Sequence, residues 1–172
     1  MTYDKEVAAA VAQARRRYGV AVDPALVHAI IQRETGHRPV SAAGTLEPDG
    51  HRSYGPMQVK DTTAAMHGIN DPKTLVVPSI GIRIGTYELA RLLVHFNGDV
   101  ASAVSGYNAG QGNAHVDRAG RFPNQGYVDA VLAFWRRYGP AALAVSGSAL
   151  VAVAAVATLI VLMQRRPLRR AA

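Results

Sequence analysis

The chain contains no cysteine, which excludes a disulfide framework, a thiolate nucleophile and thiolate metal ligands. Charged residues are only 18% of the total against 49% apolar, so a disordered polyelectrolyte is excluded as well. The six histidines show no His-Glu-x-x-His or comparable spacing, and no metal or other cofactor is implied. The segment "GQGNAH" at 110–115 has neither a third glycine nor a preceding strand, which argues against a phosphate loop. No Gly-x-Ser-x-Gly elbow, alternating strand series or internal repeat is found. The start, "MTYDKEVAAAVAQARRRYG", lacks the basic opening and apolar centre of a secretory signal. It reads as an amphipathic helix with acids in its first turn and arginines in its last.

What is present is a chain long enough for one domain and an appendage. The formal charge of +7 is unevenly placed, because residues 1–140 hold 15 Lys/Arg and 12 Asp/Glu. The excess beyond them is Arg165, Arg166, Arg169 and Arg170. The high isoelectric point therefore mostly reports the tail, and no nucleic-acid partner is expected. A mildly basic domain also suits an anionic polymer such as a bacterial wall.

Residues 141–163 carry no charge over 23 positions. As a helix they would cover roughly 34 Å, enough for a ~30 Å hydrocarbon core. The alternative is a buried core helix, though such helices seldom run so long without a charge. The expected division is a domain over 1–139, a transmembrane helix over 140–164 and a basic tail over 165–172. Ala144, Ser148 and Ala152 make a small-residue ridge that hints at helix–helix association in the membrane. Four arginines after the span, against Arg136 and Arg137 before it, place the C-terminus in the cytoplasm and the domain outside.

Within the domain, Asp23 and Pro24 read as the cap and first position of a helix through Thr35, stopped by Gly36. The stretch 38–59 is rich in Gly, Pro and Ser, with "EPDG" as a turn signal, and reads as a long loop or a short hairpin. Asp61 is expected to cap a short helix through His67, and Ser79 a longer one ending near Gly98. Asp99 opens another helix. "NQGYVDAVLAFWRRYG" supplies a last amphipathic one. The fold class is mainly α, with room for a small β-hairpin.

On the helix from Pro24, the residues Val27, Ile30, Ile31 and Glu34 share one face. That face must look inward, and a carboxyl on it loses water and holds its proton. A proton-holding acid in a cleft is what protonation of a glycosidic oxygen requires. The competing reading is that Glu34 turns into water or pairs with Arg33 or Arg38, as exposed glutamates usually do.

Four further segments bear on that choice: "RETG" at 33–36, "SYGPMQV" at 53–59, "SGYNAG" at 105–110 and "YVDAV" at 127–131. In this order they resemble the lytic transglycosylase family, which shares its fold with goose-type lysozymes, over about residues 20–135. The resemblance implies a lysozyme-like helical domain in which Glu34 is the acid/base. It places Ser53, Met57 and Gln58 on the loop lining a sugar groove, with Pro56 where the family usually has Leu. Tyr107 and Asn108 match the pair that orients acid and substrate, and Tyr127 a later tyrosine facing the same acid. Thr35 stands where Ser is usual and keeps a hydroxyl. Ser79-Ile80 falls where Asn-Ile is usual, which puts a structural hydrogen bond there in doubt.

The implied substrate is the glycan of peptidoglycan, cleaved between N-acetylmuramic acid and N-acetylglucosamine. With one carboxyl tied to the motif, the acetamido group of the muramic sugar would assist, and its 6-hydroxyl would close a 1,6-anhydro ring. The insertion "EPDGHRS" also resembles the goose-type lysozymes, and it puts Asp49 on an aspartate that positions water there. Asp49 is otherwise an ordinary Pro-Asp-Gly turn residue. Three functions follow as expectations: a membrane-anchored transglycosylase or its water-using muramidase counterpart, an inactive wall-binding membrane protein, or a membrane-lysing tail. The expected setting is the membrane of a phage virion, with a bacterial inner membrane as the rival, and the domain facing the wall.

Overall fold

A computed structural model describes residues 2–138. They lie in the first of two units, Met1–Gly139 and Pro140–Ala172. The span expected over 141–163, its ridge and the basic tail lie outside the described residues. Among the described residues no helix is long and apolar enough to cross a membrane.

Helix α1 (Asp4–Tyr18) begins with Asp4 and Glu6 and ends with Arg15, Arg16 and Arg17, so each charge faces the helix end that favours it. Its buried stripe of Val7, Ala10 and Ala14 packs on α4 (Pro78–His95). Helix α2 (Pro24–Thr35) is capped as expected: the Ala25 N–H donates to Asp23 Oδ1 at 2.8 Å. Gly36, at φ 60°, ends it in the left-handed conformation that glycine adopts cheaply. Every residue from Ala25 to Ile31 is buried, which makes α2 the central helix of the domain. Helix α6 (Gln125–Tyr138) runs along it, and α5 (Val100–Ala109) bridges α4 and α6.

Polar links fix the α2–α6 pair. Trp135 Nε1 donates to the capping Asp23 at 2.8 Å, and the Tyr138 hydroxyl donates to Gln32 Oε1 at 3.0 Å. At the same junction the buried His28 sits 3.2 Å from both His37 and Asp4. Burial pushes the pKa of both imidazoles down.

The stretch read as a loop or short hairpin folds into a three-stranded antiparallel sheet in the order β1 (Thr45–Leu46), β2 (Arg52–Tyr54), β3 (Val59–Lys60). The register places Ser53 between Thr45 and Lys60. The "EPDG" turn forms, with the Gly50 N–H donating to the Glu47 carbonyl at 3.0 Å. At the second turn only glycine fits, since Gly55 has φ 77° and a Cβ there would lie 2.1 Å from the Leu75 carbonyl oxygen.

Two capping expectations are corrected. Helix α3 (Asp61–Met66) is preceded by Lys60, and Asp61 turns its carboxylate back to accept from the Arg52 N–H at 3.2 Å. Helix α4 starts at Pro78 after Val77 without a side-chain cap, so Ser79 is an exposed residue of its first turn. In both places the chain enters the helix one or two residues earlier than the polar side chain suggested, and Pro78 supplies the fixed φ that a first turn wants.

Candidate active site

Because Val27, Ile30 and Ile31 are wholly buried, the face they share carries Glu34 inward at the last turn of α2. The carboxyl does not pair with Arg33 or Arg38; its Oε1 accepts from the Tyr127 hydroxyl at 2.6 Å. Burial raises the pKa of Glu34, opposed by the Tyr127 bond and by the charge of Arg33 and reinforced by the charge of Glu47. The result is a carboxyl held toward its protonated form, with a short hydrogen bond ready for the carboxylate when the proton leaves. Both Tyr127 and Tyr107 have hydroxyls pushed well above the usual phenol range, first by burial and then by the nearby Glu34. They remain donors throughout the neutral range.

Thr35 explains why a hydroxyl follows the acid. Its Oγ1 lies 3.1 Å from the carbonyls of Ile31 and Pro56, so it clamps the end of α2 to the β2–β3 turn. Gln58 completes that turn at φ 45°, a strained value for a residue with a side chain. Its Nε2 donates to the Gly55 carbonyl at 2.9 Å.

Two depressions meet at Glu34, Thr45 and Gln58. The larger, about 670 Å³, is also bordered by Ser53, Tyr107, Asn108 and Glu47. The smaller, about 480 Å³, runs past Gly36 to Ser41. Together they form one groove with the half-buried acid at its middle. Among the described residues no three His, Asp or Glu side chains gather in a metal-holding arrangement.

The structure thus brings Glu34, Ser53, Gln58, Tyr107 and Asn108 to one groove, with Tyr127 behind the acid. Asn108 is oriented by Asn124, whose Nδ2 donates to Asn108 Oδ1 at 3.0 Å. This leaves the Asn108 N–H groups as donors toward the groove.

Three assignments need correction. Met57 is wholly buried and borders neither depression; its apolar side chain fills the space above Gly85, where a Cβ would lie 2.7 Å from its Sδ. Tyr107 does not hold the acid, since its hydroxyl donates to the Met57 carbonyl at 2.9 Å. Asp49 sits exposed at the β1–β2 turn, accepts from the His51 N–H at 3.2 Å and pairs with Lys60. It borders neither depression.

Glu47, two residues earlier, borders the larger depression with Glu34, as does Glu88, and its charge acts on Glu34. Sequence reasoning used it only as the first letter of a turn. Also missed was the cluster of Glu88, Arg91 and His67, of which Glu88 and Arg91 border the larger depression. Arg91 donates to Glu88 through Nη2 at 2.7 Å and Nε at 2.9 Å, and His67 Nε2 lies 3.0 Å from it.

The sequence model described as the Transglycosylase SLT domain matches residues 10–125. Among solved structures, the chain is similar to an inactive mutant of the lytic transglycosylase Slt from Pseudomonas aeruginosa. The TM-score is 0.56 at 23% identity, over 77% of this chain and 24% of that one. The chain therefore spans about a quarter of that relative's length.

Proposed function

We propose, from the premise that this chain belongs to the transglycosylase SLT domain family, that it cleaves the glycan strand of peptidoglycan as a lytic transglycosylase. The observation that carries this reading is Glu34, half-buried in an open groove, raised in pKa and held by Tyr127. Protonated Glu34 gives its proton to the oxygen between N-acetylmuramic acid and N-acetylglucosamine, and the anomeric C–O bond breaks. The acetamido oxygen of the muramic sugar bonds to the anomeric carbon as the bond to the leaving sugar is lost. Glu34, now a carboxylate steadied by Tyr127, takes the proton of the 6-hydroxyl. That oxygen displaces the acetamido group and closes the 1,6-anhydro ring. Ser53, Gln58 and Asn108 hold sugar polar groups along the groove.

A second reading, hydrolysis, is favoured by one observation: Glu47 shares the groove with Glu34. Water deprotonated by Glu47 would add to the anomeric carbon and leave a reducing end. Asp49, held by Lys60 outside the groove, is poorly placed for that role. Mass analysis of wall digests separates the two. We expect 1,6-anhydro ends, lost roughly 10²–10⁴-fold in Glu34→Gln. Reducing ends that vanish in Glu47→Gln would select hydrolysis, and unchanged digestion by Glu34→Gln would remove both readings.

Residues 141–163 are proposed as a membrane anchor that leaves the domain facing the wall, in a phage virion membrane or a bacterial inner membrane. The support is their uncharged length and the arginines that follow. Recovery of the chain with lipid vesicles, abolished by deletion of 141–163, tests the anchor. Recovery of the chain only from uninfected cells, never from particles, would count against the virion.

A further inference from the structure

The two arms of the groove differ in charge. In the larger arm the cations are already partnered: Arg91 forks onto Glu88, and Lys60 pairs with Asp49. The smaller arm carries Arg33 and Arg38, and its only carboxyl is Glu34, which burial keeps toward the protonated form. Among the described residues neither arginine has an ion-pair partner, and both side chains are exposed to the groove.

Their placement is organised. The Arg33 guanidinium lies 5.4 Å from the centre of the Tyr127 ring, close enough for a cation–π contact. Arg38 lies across Gly36, with Nε 3.4 Å from where a Cβ would stand. Its N–H donates to the Thr35 carbonyl at 3.1 Å, which fixes the backbone beside the acid. Arg33 is already ordered on the Tyr127 ring, which lowers the cost of binding an anion, and a guanidinium presents a fork that matches a carboxylate.

We propose that this arm is a carboxylate-binding subsite, in which Arg38, with Arg33, receives the anionic substituent of a muramic acid residue next to the cleaved bond. The inference rests on the glycan reading given above, and it adds a source of selectivity for acidic glycan over neutral glycan. On muramic acid a carboxylate comes from the 3-O-lactyl group when free, or from the peptide that extends it.

The test uses the full chain carrying Glu34→Gln, so that ligands persist, with and without Arg38→Ala. Dissociation constants are measured by calorimetry for three tetrasaccharides: one bearing the peptide, one with the peptide removed and the lactyl carboxylate free, and a chitin tetramer with neither. We expect Arg38→Ala to weaken a carboxylate-bearing tetramer about tenfold, with the loss shrinking at high salt, and to leave the chitin tetramer unchanged. Loss confined to the peptide-bearing ligand assigns the peptide carboxylates, and loss on the lactyl form assigns the lactyl group. Equal affinities with and without Arg38, an equal loss on all three ligands, or no binding of any ligand would overturn the subsite. Glu34-dependent wall cleavage with no Arg38 effect removes the subsite alone, whereas an Arg38 effect without any cleavage removes the enzymatic reading alone.

Discussion

The Tyr127 hydroxyl and Glu34 Oε1 stand 2.6 Å apart across 93 positions of sequence. This bond joins α6 to the end of α2 and moderates the proton affinity of the groove's acid. It lowers a pKa that burial raises, so the acid is kept from becoming too reluctant to give its proton. In Tyr127→Phe the pKa of Glu34 therefore rises further. Activity should fall about tenfold, and its alkaline limb, where Glu34 loses its proton, should move to higher pH. Rate profiles of wall-digest product release against pH check both; an unmoved limb would show that Glu34 is not the titrating group.

Glu34 should also be a burden on the fold. Its folded-state pKa is raised, so its contribution to stability is fully present below the ordinary carboxylate range and is lost as pH rises through the folded value. Glu34→Gln keeps an acceptor for Tyr127 and removes the charge. The variant should gain about 0.5–2 kcal/mol near neutral pH and much less near pH 4. Urea unfolding at the two pH values measures this, and a destabilised Gln variant at pH 7 would contradict it.

Glu88 behaves in the opposite sense. Burial alone would raise its carboxyl, but hydrogen bonds from Arg91 and His67 outweigh it and lower the pKa from its usual 4.5 to about 2. Its stabilisation is therefore present above pH 4.5 and disappears as pH falls toward 2. Glu88→Gln should cost roughly 3 kcal/mol at pH 7 by leaving the buried His67 and the part-exposed Arg91 without their carboxylate. The gap between the native protein and the variant should narrow on acidification, and a gap constant from pH 6 to pH 2.5 would rule out this account.

Gly85 lies under the groove. A methyl there would sit 2.7 Å from Met57 Sδ and 2.8 Å from the Tyr107 hydroxyl. Gly85→Ala gains helix propensity, yet overpacking should outweigh that gain and destabilise the fold by about 1–3 kcal/mol. Because the displaced atoms include the Tyr107–Met57 link, substrate affinity should fall as well. Thermal unfolding and KM report the two effects separately.

Short-range rules carried much of the reading. Asp23 and Asp99 cap their helices, Gly36 stops α2, and the acids and arginines of α1 sit at the expected ends, because each depends on neighbours within one turn. Ser79 and Asp61 misled because the chain enters α4 at Pro78 and α3 at Asp61 itself, ahead of where a polar cap would put the start. The apolar spacing on α2 put Glu34 on the inward face but left open a turn into water, and the four ordered segments were needed to favour a groove around it.

What the acid touches was decided by the tertiary structure alone. Both tyrosines were expected to hold it, and only the lie of α6 against α2 gives the bond to Tyr127 while Tyr107 turns to a backbone carbonyl. Likewise two acids two residues apart in one turn differ in fate, with Glu47 facing the groove and Asp49 taken by Lys60. A helix face is fixed by a repeat of 3.6 residues written into the local chain. A hydrogen bond needs two atoms within about 3 Å, a distance that spacing along the chain does not specify when the partners come from different ends of it.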